Sequence, residues 1–254
     1  MALILYASEL AACVGMNKYK SVEDAKQSAW RRWDPPSFRL ASEHNPLAQK
    51  SPEEVRRRIE PVDEARHKLV GSREIAETLN KSLTADSSTA DVKRVIENVR
   101  VKDVKEARES VVHVVNCKRG MQNEHKGIAS YENSKRVKLH GKNTQFYKKC
   151  IGETSAGTKV YVGGRADGVT HDKVVEIKCR RNRLLSTLPI YEQVQAQAYL
   201  FLTNKPVVEV VQKYDGMTRS DEYVADTEFW AEVCDAALNF ASELENLIDV
   251  ESAL

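Results

Sequence analysis

Residues 164 to 183 read GRADGVTHDKVVEIKCRRNR, and their charged side chains acquire meaning if the stretch folds as a hairpin. With the turn centred between His171 and Asp172, antiparallel pairing runs Thr170 to Lys173, Val169 to Val174, Gly168 to Val175 and Asp167 to Glu176. Directly opposed residues hold their Cβ atoms ~4.5–5.5 Å apart, a position in which like charges destabilise the pair. Alternation along the strand places Glu176 and Lys178 on one face and sends Val175, Ile177 and Cys179 into the core. Two carboxylates and an ammonium therefore converge on one spot. A divalent cation would relieve the repulsion. Mg²⁺, with Mn²⁺ as its substitute, takes oxygen ligands: one or two carboxylates, water and substrate phosphate, with the backbone carbonyl of Ile177 completing the protein's share. Lys178 would then orient or deprotonate an attacking water and offset charge on a phosphate oxygen, which suits phosphodiester hydrolysis. The competing reading is a plain polar strand face with a bend at Asp167-Gly168, so neighbouring residues have to decide.

Two neighbours bear on that choice. In YEQVQAQAYLFL, Gln195 and Tyr199 stand four apart and project together from a helix. Gln195 could hold the water or a phosphate oxygen, and Tyr199 could stack on or bond to DNA; a solvated Gln and a half-buried Tyr are the alternative. In CKRGMQNEHKGIASYE, Gly120 and Glu124 lie one turn apart. Gly120 would allow a close helix approach that brings Glu124 to the carboxylates, although a lone helical Glu is more often a surface residue.

Basic residues follow the proposed metal strand. Lys178, Arg180, Arg181 and Arg183 fall where a phosphate backbone would pass, and Arg165 with Lys118-Arg119 would extend the path. A solvated loop accounts for Arg180 to Arg183 as well. The net charge of +2 hides a split along the chain. Residues 133–150 carry six Lys or Arg and no acid, while 221–254 carry ten acids and no base, which suggests a basic working face and an acidic terminal element.

The elements that must position these groups form an α+β pattern. A chain of 254 residues, 41% apolar and 30% charged, can bury a large core as one elaborated domain. No apolar run approaches the ~20 residues of a membrane span, and five scattered cysteines with no C-x-x-C pair argue for a reducing compartment, cytosol or nucleus. The first half reads helical: Ser8 caps a short helix, Ser21 caps another carrying Trp30 and Trp33, residues 34–50 form a loop, and further helices begin at Ser51 and cover 62–80 and 89–110. A helix near 117–134 precedes strands at TKVYVGG, RADGV, KVVEIKC and VVEVVQKY, with a helix over 188–203 among them. The closing segment aligns Phe229, Val233, Ala236, Ala237, Phe240, Leu244 and Leu247 on one helical stripe. The expectation is a small mixed β-sheet flanked by helices.

The order G-x-x-x-E, R-A-D-G, V-E-I-K-C, Q-V-Q and then KYDGM with an acidic amphipathic helix resembles the phage lambda-type exonucleases, or YqaJ-like viral recombinases, of the PD-(D/E)xK superfamily. The opening YASELAACVGMNKYKS is similar to that family's start. The likeness covers residues 3–19 and 115–235. It implies a restriction-endonuclease-like core over 115–254 with a helical elaboration over 20–114. It further implies metal coordination by Asp167, Glu176 and, more remotely, Glu124, with Lys178 activating water and Gln195 assisting. Ser8 falls where family members contact DNA phosphate. The arginine that usually precedes this serine and holds a 5′ phosphate is missing, and Lys18, Lys20, Arg31 or Arg32 would have to replace it. The resemblance implies a phage or viral deoxyribonuclease that degrades linear duplex DNA from an end, 5′ to 3′, often as a homotrimer beside a single-strand annealing protein. An endonuclease, an RNA-degrading enzyme of the same fold and a non-catalytic nucleic-acid-binding protein are the alternatives.

Overall fold

The computed structural model describes residues 2–44, 124–180 and 183–252. The chain divides into a unit of Met1–His44 with Gly127–Leu254 and a second of Asn45–Lys126. The helices expected from Ser51 to residue 110, with Gly120 and Arg119, lie outside the described residues, as does Arg181.

Strand β1 (Ala2–Tyr6) runs directly into helix α1 (Ala7–Cys13). The sequence does not announce this strand, because a five-residue apolar run shows neither helical nor strand period. Parallel pairing with a later strand makes it one, burying Leu3 and Leu5. Ser8 does not cap α1: the cap position is Tyr6, without a side-chain hydrogen bond, and Ser8 is exposed within the first turn. Helix α2 (Val22–Trp33) begins as expected at Ser21, where a reciprocal capping box with Asp24 satisfies two amides. The loop expected over 34–50 is instead helix α3 (Pro35–His44) as far as residue 44. Asp34 accepts the Ser37 amide at 3.2 Å, and Pro35 takes the first helical position, where its missing donor costs nothing.

Helix α4 is described over 124–135. Then follow β2 (Tyr147–Glu153), β3 (Lys159–Gly164), β4 (Gly168–Val169), β5 (Lys173–Cys179), α5 (Ile190–Thr203), β6 (Val207–Tyr214), β7 (Met217–Val224) and α6 (Thr227–Ser252). The strands form two mixed sheets rather than one: β1-β3-β2, with β1 parallel to β3, and β4-β5-β6-β7, with β5 parallel to β6. The architecture is α+β, with helices flanking small mixed sheets. β6 and β7 join at Asp215-Gly216, both at positive φ, as a tight Asp-Gly hairpin turn requires.

Helix α5 fills the principal core. Val194, Ala198 and Leu200 lie there with Leu5 and Val162 of the first sheet and with Val174, Val208 and Val210 of the second. The stripe of α6 closes it through Val233, Ala237, Phe240 and Leu244. On the other face of the second sheet Val175, Ile177 and Val211 pack with Ile128 and Tyr131 of α4. The central strand β5 is thus covered on both faces, and its Glu176 is taken from water.

Candidate active site

The hairpin has the register that its sequence implies. Gly168 pairs with Val175, Val169 with Val174, and the Thr170 amide bonds the Lys173 carbonyl at 2.8 Å. The paired strand begins at Gly168; Asp167 stands at the bend just before it, near enough to Glu176 to act on its charge. Gly168 is needed for this arrangement: a Cβ there would stand 2.6 Å from Leu139 Cδ1. Its absence lets residues 137–141 lie along β4, where His140 and Val169 exchange backbone hydrogen bonds of 2.9 and 3.0 Å. The short strand that Asp167 precedes is so fixed from both edges.

Both carboxylates are buried, each 6% exposed. Asp167 Oδ2 accepts the Ile177 amide at 2.6 Å, which binds its carboxylate to β5. Glu176 Oε1 accepts from Lys178 Nζ at 2.7 Å, and the same ammonium donates to Gln195 Oε1 at 2.8 Å. Gln195 Nε2 reaches the Tyr199 hydroxyl at 3.3 Å, and that hydroxyl donates to the Arg165 carbonyl at 2.8 Å. A continuous chain of hydrogen bonds therefore links Glu176 through Lys178, Gln195 and Tyr199 to the residue two places before Asp167. Among the described residues, the buried Glu176 Oε2 has no hydrogen-bond partner. An orphaned carboxylate oxygen at such burial is costly unless a cation or donor occupies the space beside it.

Electrostatics around Glu176 point the same way. Burial pushes its pKa up to about 7, with Asp167 and Glu192 adding to the rise and Lys178 opposing it. Burial acts to lower the Lys178 pKa, but its contact with Glu176 outweighs this and the net shift is upward, so the amine is held charged. In this charged state the amine can orient a water. Asp167, Glu176 and Glu192 are set against Lys178 and Arg180, three negative groups against two positive, which leaves a net of one negative charge when all are ionised.

Arg180 was expected on a DNA path and is committed elsewhere. Its guanidinium clasps Glu192 of α5 at 2.6 and 2.7 Å and donates to Gln212 Oε1 at 2.8 Å. Gln212, only 1% exposed, also holds Leu185 through its amide at 3.0 Å and its carbonyl at 2.9 Å. These contacts anchor the chain between β5 and α5. Glu192 lies three residues before Gln195, so the clasp sets the helix face that presents Gln195 to Lys178. That spacing was the available signal for Glu192; Gln212, paired with Lys178 in register, carried none until the strand order was known.

The remaining candidates separate. Tyr199 is 4% exposed and braces Arg165 rather than offering a surface for DNA. Arg165, Arg183, Lys18 and Ser8 are exposed. Arg32 and Lys20 both pair with Glu9, at 2.7 and 3.7 Å. Ile177 turns its side chain to the opposite core, and its amide is the one that Asp167 engages. Glu124 is half-buried, opens the described part of α4 and belongs to the second unit. Among the described residues no group of three or more His, Cys, Asp and Glu side chains is gathered for a metal. A cation held by these residues would take its protein ligands from two carboxylates and backbone oxygen, the kind of all-oxygen donor set that Mg²⁺ prefers.

No protein-family model and no curated protein matches the chain. Among solved structures it is similar to an alkaline exonuclease from Laribacter hongkongensis, 16% identical over 70% of this chain and 96% of the other, with a TM-score of 0.36. The same exonuclease in complex with dAMP aligns at 16% identity over 68% and 94%, with a TM-score of 0.38. SSO0001 aligns at 16% identity over 68% and 84%, with a TM-score of 0.41. At so distant a likeness the functional reading rests on the side chains themselves.

Proposed function

We propose that this chain is a Mg²⁺-dependent deoxyribonuclease that hydrolyses linear duplex DNA from an end, with Mn²⁺ able to substitute. The observation that supports it best is the buried Oε2 of Glu176, without a hydrogen-bond partner among the described residues, near Asp167 and beside a charged lysine. Asp167, Glu176 and the Ile177 carbonyl would hold the cation. When bound, it would supply a more acidic water and polarise a phosphoryl oxygen. Lys178 orients the nucleophilic water and donates to the phosphate oxygen on which charge accumulates. Gln195 holds that ammonium in place, and its bond to Tyr199 restricts the amide to one orientation. Exposed Arg165, Arg183 and Lys18 would meet phosphates, contacts that read the backbone and confer little sequence specificity. The 5′-to-3′ direction, a homotrimeric assembly and a single-strand annealing partner belong to the same proposal on the strength of the sequence resemblance alone.

The test is a nuclease assay on 5′- and 3′-labelled linear duplexes beside closed circles and RNA. The proposal expects Mg²⁺-dependent shortening of the linear duplex with the circles intact. Cutting of circles would make the enzyme an endonuclease, and faster loss of RNA a ribonuclease. Binding of DNA with no cleavage under any divalent cation would overturn the enzymatic reading.

A further inference from the structure

The three-stranded sheet buries one face and turns the other outward. Register and alternation place Ile4 and Tyr6 of β1, Tyr161 and Gly163 of β3, and Lys148 with the preceding Phe146 at β2 on that outer face. Three aromatic rings stand there, and each has a cation over it. The Arg32 guanidinium lies 4.9 Å from the Tyr6 ring centroid, Arg165 lies 5.2 Å from Phe146, and Lys148 Nζ lies 4.7 Å from Tyr161. Phe146 meets Tyr6 edge-on with centroids 6.2 Å apart, so two of the three pairs are continuous. Gly163 makes the surface flat: a Cβ at that position would stand 2.6 Å from Phe146 Cζ and 3.2 Å from Ile4 Cγ2. Phe146 is 39% exposed, and Arg32, Arg165 and Lys148 are exposed.

From this face we infer a binding site for single-stranded nucleic acid, distinct from the carboxylate pair and adjoining the proposed duplex path at Arg165. Its chemistry is specific to that ligand. A base needs a flat π surface and its phosphate needs a cation; here a base would take the place of the cation now over each ring, and the displaced cation, within one side chain's reach, would meet the phosphate. An acidic peptide would use the cations and leave the rings idle. A duplex presents its phosphates but keeps its base faces stacked inside. The acids bordering the face do not cancel it: Glu9 is already shared between Arg32 and Lys20, and Glu153 lies opposite Lys159 in the sheet. The site extends the proposed function, since an enzyme that removes one strand leaves the other unpaired, yet the inference stands on the sheet face alone.

The experiment uses the full chain with EDTA present, so that no hydrolysis intervenes, and follows the fluorescence anisotropy of a labelled ~12-nucleotide oligothymidine. Phe146→Leu and Tyr161→Leu keep an apolar side chain against the sheet but remove the ring. Each should weaken binding roughly 5- to 100-fold, and an abasic strand of equal length should bind wild type weakly and not distinguish the variants. Glu176→Gln should bind the oligothymidine as wild type does, so a failure of the nuclease proposal and a failure of this site would be told apart. Equal affinity for abasic and thymidine strands, or losses within about twofold in both ring variants with unchanged circular dichroism, would overturn the inference.

Discussion

At the scale of single residues the account turns on Glu176 and Lys178. Glu176 has one oxygen bonded to Lys178 and the other without a partner among the described residues, and Lys178 divides its protons between Glu176 and Gln195. Lys178→Ala should bind duplex ends with near-native affinity and lose about 10²- to 10⁴-fold in the rate of shortening, as removal of a positioned donor to the reacting groups does. Gln195→Ala keeps the ammonium but frees it, and a loss nearer tenfold is expected in the same assay. A Lys178→Ala enzyme of undiminished rate would remove the amine from the mechanism. These residues were legible in the sequence because strand alternation and helical spacing are local rules. The state of Lys178 was not, since its charge depends on burial and on a carboxylate that only the folded sheet brings within 2.7 Å.

At the scale of elements the hairpin of β4 and β5 was readable to the residue, because its period of two and its turn both specify one register. Helix α3 was not, because the prolines that break helices also begin them, and only the Asp34 cap distinguishes the two cases. Nor was β2, hidden in a basic run whose lysines proved to have separate tasks. Lys142 pairs with Glu132, Lys149 bonds the Phe201 carbonyl at the end of α5, and Lys148 covers Tyr161. The Arg180–Glu192 clasp likewise converted an expected DNA contact into the tie between β5 and α5. Arg180→Ala leaves the buried Glu192 uncompensated and should lower stability by about 3–5 kcal/mol in urea unfolding, and Glu192→Ala should cost less, because Arg180 is half-buried and keeps Gln212. The paired change Arg180→Met with Glu192→Leu should cost far less than the sum. Additive losses in the double variant would show that the two side chains act independently. Gly168→Ala should destabilise by about 1–3 kcal/mol through the clash with Leu139, with a fall in activity because Asp167 is the next residue in the chain.

At the scale of the whole molecule the second sheet carries a buried carboxylate on each face, and they are treated in opposite ways. Glu176 is left partly unsatisfied. Glu209, 2% exposed on the other face, is saturated by Tyr131 at 2.7 Å, by Lys173 at 3.2 Å, by Lys135 at 3.4 Å and by Ser220. Burial alone would raise the Glu209 pKa, but the hydrogen bonds from Ser220, Tyr131 and Lys173 outweigh it and bring the value down to about 2. A carboxylate with a lowered folded pKa stabilises the protein fully above its unfolded value, near 4.5, and that stability is lost as pH falls through about 2. The shift corresponds to about 3 kcal/mol at neutral pH. The stability gap between wild type and Glu209→Gln should therefore narrow across this window in urea unfolding, and a gap independent of pH would contradict the assignment. The contrast between the faces sets a carboxylate satisfied by its own fold against one that keeps an oxygen without a partner among the described residues. Calorimetric titration of Mn²⁺ into the full chain, beside Glu176→Gln and Asp167→Asn, tests that difference most directly. Saturable binding to wild type that disappears in both variants is the predicted result, and equal binding by all three proteins would contradict the account.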